Sequence, residues 1–366
     1  MGPSVAHIYH QNFSHNIQLI QDAVKSSKIL AVVKANAYGH GSVELSKTAI
    51  KAGCEYLGVA FVEEGIELRK EQIDKPILVF GSHDISYLTK AIDYDLDITI
   101  TSQQQIEALQ TSDKHCNVHI KVDTGMHRVG FKIEDFETAL KTILDAKQFD
   151  LKGIYSHFAT SDDEDDSFFQ QQLQHFNEIK KISAKLLQHD VLFHMANSGA
   201  IMKYPESYFD LVRPGVMLYG GLPNPNFKTN WSLKQVMQLR SKISLTKFLK
   251  KGDSVSYGRR YFTDNDTQIG VIPIGYADGY NRALTNKTEV IIHNKKYPVV
   301  GTICMDMIMV DTLNLPQLKA GDAVVLFGQT NNQQISIDDI AAKAGTIAYV
   351  VTCNISKRIP RIHIYK

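Results

Sequence analysis

The chain has 366 residues, 43% hydrophobic and 22% charged, with a formal charge of +1; this gives ample material for a packed core and excludes disorder, a nucleic-acid surface and a charge-driven membrane contact. Two domains are the expectation at this length, no apolar run reaches the roughly eighteen residues of a membrane span, and the amino terminus lacks the basic and apolar regions of a signal peptide. Cys54, Cys116, Cys304 and Cys353 are scattered without a C-x-x-C pair, which fits reduced cytoplasmic thiols better than a disulfide scaffold or a zinc site, and no metal is expected.

In chain order, apolar strand-like segments fall at 29–33, 56–59, 77–80, 97–100, 117–122, 152–156, 191–195 and 208–212. Segments of helical spacing lie between them, among them Val62–Glu71, Ser102–Gln110, Ile133–Lys147 and Phe168–Gln188. Eight strands joined by helical crossovers predict an α/β domain, an N-terminal (β/α)8 TIM-type barrel, over residues 8–232. An open doubly wound sheet is the alternative, but the glycine-rich dinucleotide turn after the first strand is missing. The acidic stretch Asp162–Asp166 has no His or Cys beside it and reads as a solvated loop before a helix.

Past about residue 230 the pattern changes to alternating segments at 237–246, 267–274, 289–293, 297–303 and 323–327. Short turns such as Asp278-Gly279, Asn294-Lys295 and Gly321-Asp322 separate them. This predicts a mostly-β second domain over 233–366, with a small helix at Ile337–Lys343 and with residues 1–7 free to join it.

Barrel chemistry sits where strands end and loops begin. Lys34, inside Ala31-Val-Val-Lys-Ala-Asn-Ala-Tyr-Gly-His-Gly41, closes the first strand at the rim of an apolar interior. Desolvation there disfavours the ammonium and makes an amine nucleophile. Alone, it would read better as a strand-terminal lysine snorkelling to solvent. Four more polar segments follow strand ends: Lys121-Val-Asp-Thr-Gly-Met-His-Arg128, His157, Asn197-Ser198-Gly199 and Arg213-Pro-Gly-Val216. Five such places on one rim point to a site.

Those segments, with R-P-G-V-M-L-Y-G, S-Y-G-R, I-G-Y-A-D-G-Y and G-T-I-C-M-D-M, resemble the alanine racemase family over nearly the whole chain. The resemblance implies a pyridoxal 5'-phosphate (PLP) enzyme that interconverts L- and D-alanine and supplies D-alanine for peptidoglycan. It implies that Lys34 forms the Schiff base with PLP. Ser198, Gly215, Val216, Tyr38 and Tyr349 would hold the phosphate, a role the loops after strands seven and eight often take. Arg213 would face the pyridine nitrogen. An always-charged arginine leaves that nitrogen unprotonated and favours racemisation over transamination. Tyr257 would be the second base, tuned by His157, which is linked on to Arg213; a free tyrosine is a poor base at neutral pH.

By the same resemblance Arg128 contacts the substrate carboxylate, with Met305 lending a backbone amide, and Lys121 matches a lysine often carbamylated. A homodimer follows, each chain lending its Tyr257 to the other's barrel, in the cytoplasm, with no nucleic-acid or membrane partner. The sequence departs from the family at His7-Ile-Tyr-His10 and at Thr302, which stands where many members carry an arginine near the access channel; Arg282, Ile347 and Asp162 match channel residues. A serine or broad-range racemase, a fold-related decarboxylase and a PLP-carrier protein are the other readings. Arg213 weighs against the decarboxylase, Tyr257 and the second domain against the carrier, and nothing in an apolar pocket strongly rejects serine.

Overall fold

The computed structural model describes residues 2–81, 84–111, 114–312, 315 and 317–365. Met1 and Lys366, the outer bounds of the expected second domain, lie outside the described residues. Strand β1 (Val5–Tyr9) is followed by eight strands of a second sheet. These are β2 (Lys28–Val32), β3 (Tyr56–Val59), β4 (Ile77–Val79), β5 (Asp97–Ile100), β6 (Cys116–Lys121), β7 (Phe149–Tyr155), β8 (Leu192–His194) and β9 (Leu211–Val212). They pair in parallel in the order β8-β7-β6-β5-β4-β3-β2-β9. Two backbone bonds close the ring between β8 and β9, Asp210 N to Phe193 O at 3.0 Å and Arg213 N to Ala196 O at 2.9 Å. The fold is therefore the expected TIM-type barrel, nearly closed, followed by a mostly-β domain.

The barrel strands are short, apolar and buried, as parallel strands covered by helices must be. The helices follow the 3.6-residue period; Ile133–Asp145 buries Phe136, Ala139, Leu140 and Ile143. The interior is less ordinary. Where branched aliphatics usually fill such a barrel, Asp97, Thr99, His119, Lys121, Tyr155, His194 and Arg213 are all buried.

The second domain carries β10 (Met237–Lys242), β11 (Leu245–Leu249), β12 (Thr267–Ile272), β13 (Glu289–Ile292), β14 (Lys295–Val300), β15 (Ile308–Asp311), β16 (Ala323–Gln329), β17 (Gln334–Ile335) and β18 (Arg361–Ile364). Its sheet runs β11-β12-β15-β14-β13-β16-β10-β1-β18. The single strand expected at 237–246 is two strands. Ile243 N bonds Asp322 O and Ser244 N bonds Val271 O, so the chain leaves its pairing with β16 and joins β12 at that point. The strand expected over 297–303 stops at Val300, because Gly301 turns the chain with φ 74°.

Strand β1 lies inside this sheet, antiparallel to β10 and parallel to β18, so both ends of the chain close the second domain. Immediately after it, the helix His10–Val24 buries Phe13, Ile17 and Ile20. Its buried Asn16 donates to Leu218 O and Lys234 O and accepts from Lys234 N, which fastens the segment linking the domains.

Candidate active site

Lys34 follows β2, as expected, but the chain beyond it is neither loop nor ordinary helix. Ala35, Asn36, Ala37 and Tyr38 all have φ between 51° and 54°, a turn of left-handed helix without a glycine. Each such residue costs on the order of 1 kcal/mol, Asn least. Other groups hold it there. Glu64 accepts from Ala35 N at 2.7 Å and also from Ala60 N and Phe61 N. Asn36 Oδ1 accepts from Ser42 N at 2.9 Å, and the buried His40 Nδ1 donates to Ala37 O and Tyr38 O. From the second domain, Arg361 Nε donates to Gly39 O at 2.9 Å.

The turn delivers Lys34 and Tyr38 to one cleft of about 430 Å³ at the carboxyl ends of the strands, which Arg128, His157, Arg213 and Tyr349 also line. Burial, and secondly the Arg128 charge, hold the Lys34 ammonium below its usual pKa, which favours the free amine. At one end three hydroxyls converge. Ser198 Oγ accepts from Gly215 N at 2.9 Å and lies 3.4 Å from Met217 N; Tyr38 and Tyr349 sit beside it with ring centroids 5.7 Å apart. Burial pushes both tyrosine pKa values up, so both remain O–H donors. A Cβ at Gly215 would stand 2.6 Å from Tyr38 Oη, so only glycine leaves this cradle open. Val216 begins the buried 3-10 turn that follows.

Arg213 is 4% exposed yet meets no carboxylate among the described residues. Nη1 bonds His194 Nδ1 at 2.9 Å; Nη2 bonds Ser156 O at 2.6 Å, Met195 O at 3.1 Å and His157 Nδ1 at 3.2 Å. Its guanidinium lies 5.1 Å over the Tyr155 ring, which stacks on His194. Burial brings Arg213 down to about 10, so it stays charged. Because a guanidinium can only donate, His194 Nδ1 accepts, its Nε2–H donates to His119 Nδ1 (3.0 Å), and His119 Nε2–H donates to Asp97 (3.3 Å). A one-directional chain thus runs from the rim to a buried carboxylate. His157 is likewise an acceptor at Nδ1 and is held neutral by burial and, after it, by the neighbouring Arg213 charge. Its Nε2–H has no partner among the described residues.

Lys121 is buried and, among the described residues, makes one hydrogen bond, to Val122 O at 3.2 Å. Burial, Arg213 and Arg128 drive its pKa well down. Arg128 itself is exposed at the mouth.

Two expected residues are elsewhere. Tyr257 is 73% exposed and Met305 52% exposed, and Tyr257 borders a separate groove of the second domain with Ser256, Cys304 and Met307. The described residues of one chain therefore do not bring Tyr257 to Lys34 or His157. Thr302 is 1% exposed, and its hydroxyl donates to Tyr257 O. Sequence reasoning missed His194, His119, Asp97, Glu64 and Arg361. The position of His194 at a strand end was the one available signal.

The chain matches the model for "Alanine racemase, N-terminal domain" over residues 8–223 and that for "Alanine racemase, C-terminal domain" over 236–363. It is 38% identical over 372 residues to alanine racemase 2 of Caldanaerobacter subterraneus subsp. tengcongensis, covering 100% of this chain and 95% of that one. To the alanine racemase of Carboxydothermus hydrogenoformans it is 37% identical over 373 residues, covering 100% of both. Its fold matches the crystal structure of alanine racemase from E. faecalis with a TM-score of 0.93 at 35% identity, covering 99% of this chain and 98% of that one. The alanine racemase from Streptomyces coelicolor gives 0.94 at 30% identity, covering 100% and 98%.

Proposed function

The chain belongs to the alanine racemase family of isomerases, and on that premise we propose that it interconverts L- and D-alanine using Lys34 of one protomer and Tyr257 of its partner. The observation that carries this reading is the division of the groups. Lys34 sits in a cleft with a neutral His157 whose Nε2–H has no partner among the described residues, while Tyr257 of the same chain stands outside, exposed. A two-fold pair in which each second domain reaches the other's barrel would complete two sites.

The cleft fits pyridoxal 5'-phosphate. Tyr38, Ser198 and Tyr349 would hold its phosphate with the backbone at Gly215 and Val216, a glycine cradle among neutral donors. Lys34, with its lowered pKa, would anchor the aldehyde carbon, and Arg213 would face the ring nitrogen. When bound, the cofactor supplies an electron-withdrawing ring that acidifies the Cα–H of the attached amino acid. Lys34 Nζ moves that proton on one face and the partner's Tyr257 on the other. His157 Nε2–H donates to the phenolic oxygen, and the Arg213 charge behind it favours the phenolate, which makes tyrosine a usable base. Arg213 keeps its proton at neutral pH, so opposite the ring nitrogen it would leave that nitrogen unprotonated and would favour reprotonation of the carbon over its oxidation.

Arg128 and the Met305 amide hold the substrate carboxylate. Lys121 would be carbamylated: its neutral amine adds to dissolved CO2, an N–C bond forms as one C=O π bond opens onto oxygen, and one N–H proton leaves to water. The resulting anion would then face the Arg128 and Arg213 charges that now act on Lys121. The enzyme works in the cytoplasm and supplies D-alanine for peptidoglycan.

The test mixes two inactive variants, Lys34→Ala and Tyr257→Ala, unfolded and refolded together in equal amounts. Random pairing makes half the dimers mixed, each with one intact and one doubly damaged site, so roughly a quarter of wild-type activity returns. If both groups of a site came from one chain, activity would stay at the level of the separate variants.

A further inference from the structure

Four residues around the second proton-transfer group are Ser256, Tyr257, Gly258 and Arg259. Three of them carry positive φ: 67° at Ser256, 72° at Gly258 and 48° at Arg259. For serine and arginine that backbone is unfavourable, and the central tyrosine, 73% exposed, packs against little of its own chain. Something else must hold the loop in place. The segment Gly301–Cys304 lies directly behind it. A Cβ at Gly301, itself at φ 74°, would stand 2.7 Å from Val255 O and 3.0 Å from Ser256 Cβ, so only glycine permits this approach.

Two hydroxyls then cross the contact in opposite senses. Thr302 Oγ1 donates to Tyr257 O at 2.7 Å, and Ser256 Oγ donates to Thr302 O at 2.6 Å, with Cys304 Sγ 3.3 Å from the same Ser256 oxygen. Thr302 is 1% exposed, and its β-branched side chain has few rotamers to choose from.

We propose that Thr302 is a positioning residue for Tyr257: with Ser256 it forms a hydroxyl clasp that fixes the strained loop so that the phenol enters the partner's cleft at one depth and angle. The inference rests on the reading of Tyr257 as the second proton-transfer group. The clasp holds only the backbone, which leaves the side chain extended for a second chain to cover. A proton donor or acceptor must sit within hydrogen-bond reach of the carbon it serves, so a small shift of this backbone slows one proton transfer and leaves substrate binding in place.

The experiment compares the PLP-loaded Thr302→Val, Thr302→Ser and Tyr257→Phe enzymes with wild type. Thr302→Val keeps the shape and removes the donor; we expect kcat to fall about tenfold with KM within about twofold. Thr302→Ser restores the donor and returns kcat to within about twofold of wild type. The α-deuterium isotope effects for L- and D-alanine should move in opposite senses in Thr302→Val, because slowing one of two opposed groups hinders abstraction in one direction and reprotonation in the other. A general loss of folded enzyme would lower both directions and leave the isotope effects alone.

Thr302→Val with wild-type kcat beside an inactive Tyr257→Phe would overturn the clasp and leave the second-base reading standing. A Tyr257→Phe enzyme of wild-type activity would overturn that reading itself. Equal losses in Thr302→Val and Thr302→Ser would mean that the methyl, not the hydroxyl, matters, and would also sink the proposal. Should Thr302→Val not fold, Ser256→Ala removes the other half of the clasp and must show the same kcat loss and isotope-effect divergence; wild-type values there would overturn the inference.

Discussion

Lys34 is held on a half-buried left-handed turn by Glu64, Asn36, His40 and Arg361, whereas Tyr257, the group proposed to work against it, stands 73% exposed on a loop of the other domain. The first setting is complete once one chain has folded. The second has its backbone tied and its side chain unburied, with Met305 and Met307 about half exposed nearby. Exposed apolar side chains clustered around a functional group are what a surface looks like before association covers it. The contrast teaches that folding builds the strained, desolvated half of this site, where the amine must be kept neutral. On the proposed pairing, association supplies the half that needs only to arrive at the right place.

The comparison can be broken most severely at the buried half. Lys34→Ala should reduce racemisation by at least about 10⁴-fold and abolish covalent attachment of PLP, since one group serves both roles. Absorbance of the cofactor–lysine linkage, without added amine, checks this; its persistence would move the anchor to another lysine. Next in size, Tyr257→Phe should cost roughly 10²- to 10³-fold while leaving PLP attachment intact. In D2O that variant should still exchange the α-hydrogen of one enantiomer, read by proton NMR. Exchange lost equally from both would mean that Tyr257 is not confined to one face.

The strain of the buried half is tested by Glu64→Ala. Losing the carboxylate that accepts from Ala35, Ala60 and Phe61 should weaken PLP binding by about 2 kcal/mol, roughly thirtyfold, with no change in dimer formation. Fluorescence titration with PLP and sedimentation check the two parts.

The smallest effect lies where the halves of one chain meet. Asp338 accepts from Leu222 N, and burial raises its pKa from 3.8 to about 6. The folded state therefore binds more protons than the unfolded one between those values, so stability falls as pH rises through that window, and the deficit is complete above about pH 6. Asp338→Asn keeps an acceptor and loses the charge. It should be stabilised by about 1–2 kcal/mol at pH 8 and hardly at all below pH 4, as measured by urea unfolding at both.

Much of the fold was legible because its signals are local. The eight apolar runs that became β2–β9 are each set by a few adjacent residues whose burial the alternation with helices demands. The first-domain helices ended within a few residues of expectation wherever an apolar stripe repeated. The pieces that escaped notice were made by partners far away in sequence. Strand β1 exists because β10 and β18 flank it. The break at Ile243 exists because Asp322 and Val271 draw the chain to different neighbours.

Within the candidate site, the sequence by itself determined which residue types stand at the barrel rim: the lysine after the first barrel strand, the Ser198 and Gly215 segments, Arg213 and His157. Each closes a strand whose identity is local, and a parallel barrel sends strand ends to one face. Only the tertiary structure decided the rest. Ala35–Tyr38 carry no glycine and declare no left-handed preference; the turn exists because Glu64 and Arg361, remote in the chain, oppose its strain. The His194–His119–Asp97 chain depends on three strands of the barrel placing those side chains within hydrogen-bonding distance, which no spacing along one segment encodes. Tyr257 lies 223 residues from Lys34 and outside its cleft, and its loop is fixed by the buried hydroxyl of Thr302. Local preferences amount to a fraction of a kcal/mol per residue, so where desolvation and strain cost more than that, distant contacts decide the conformation.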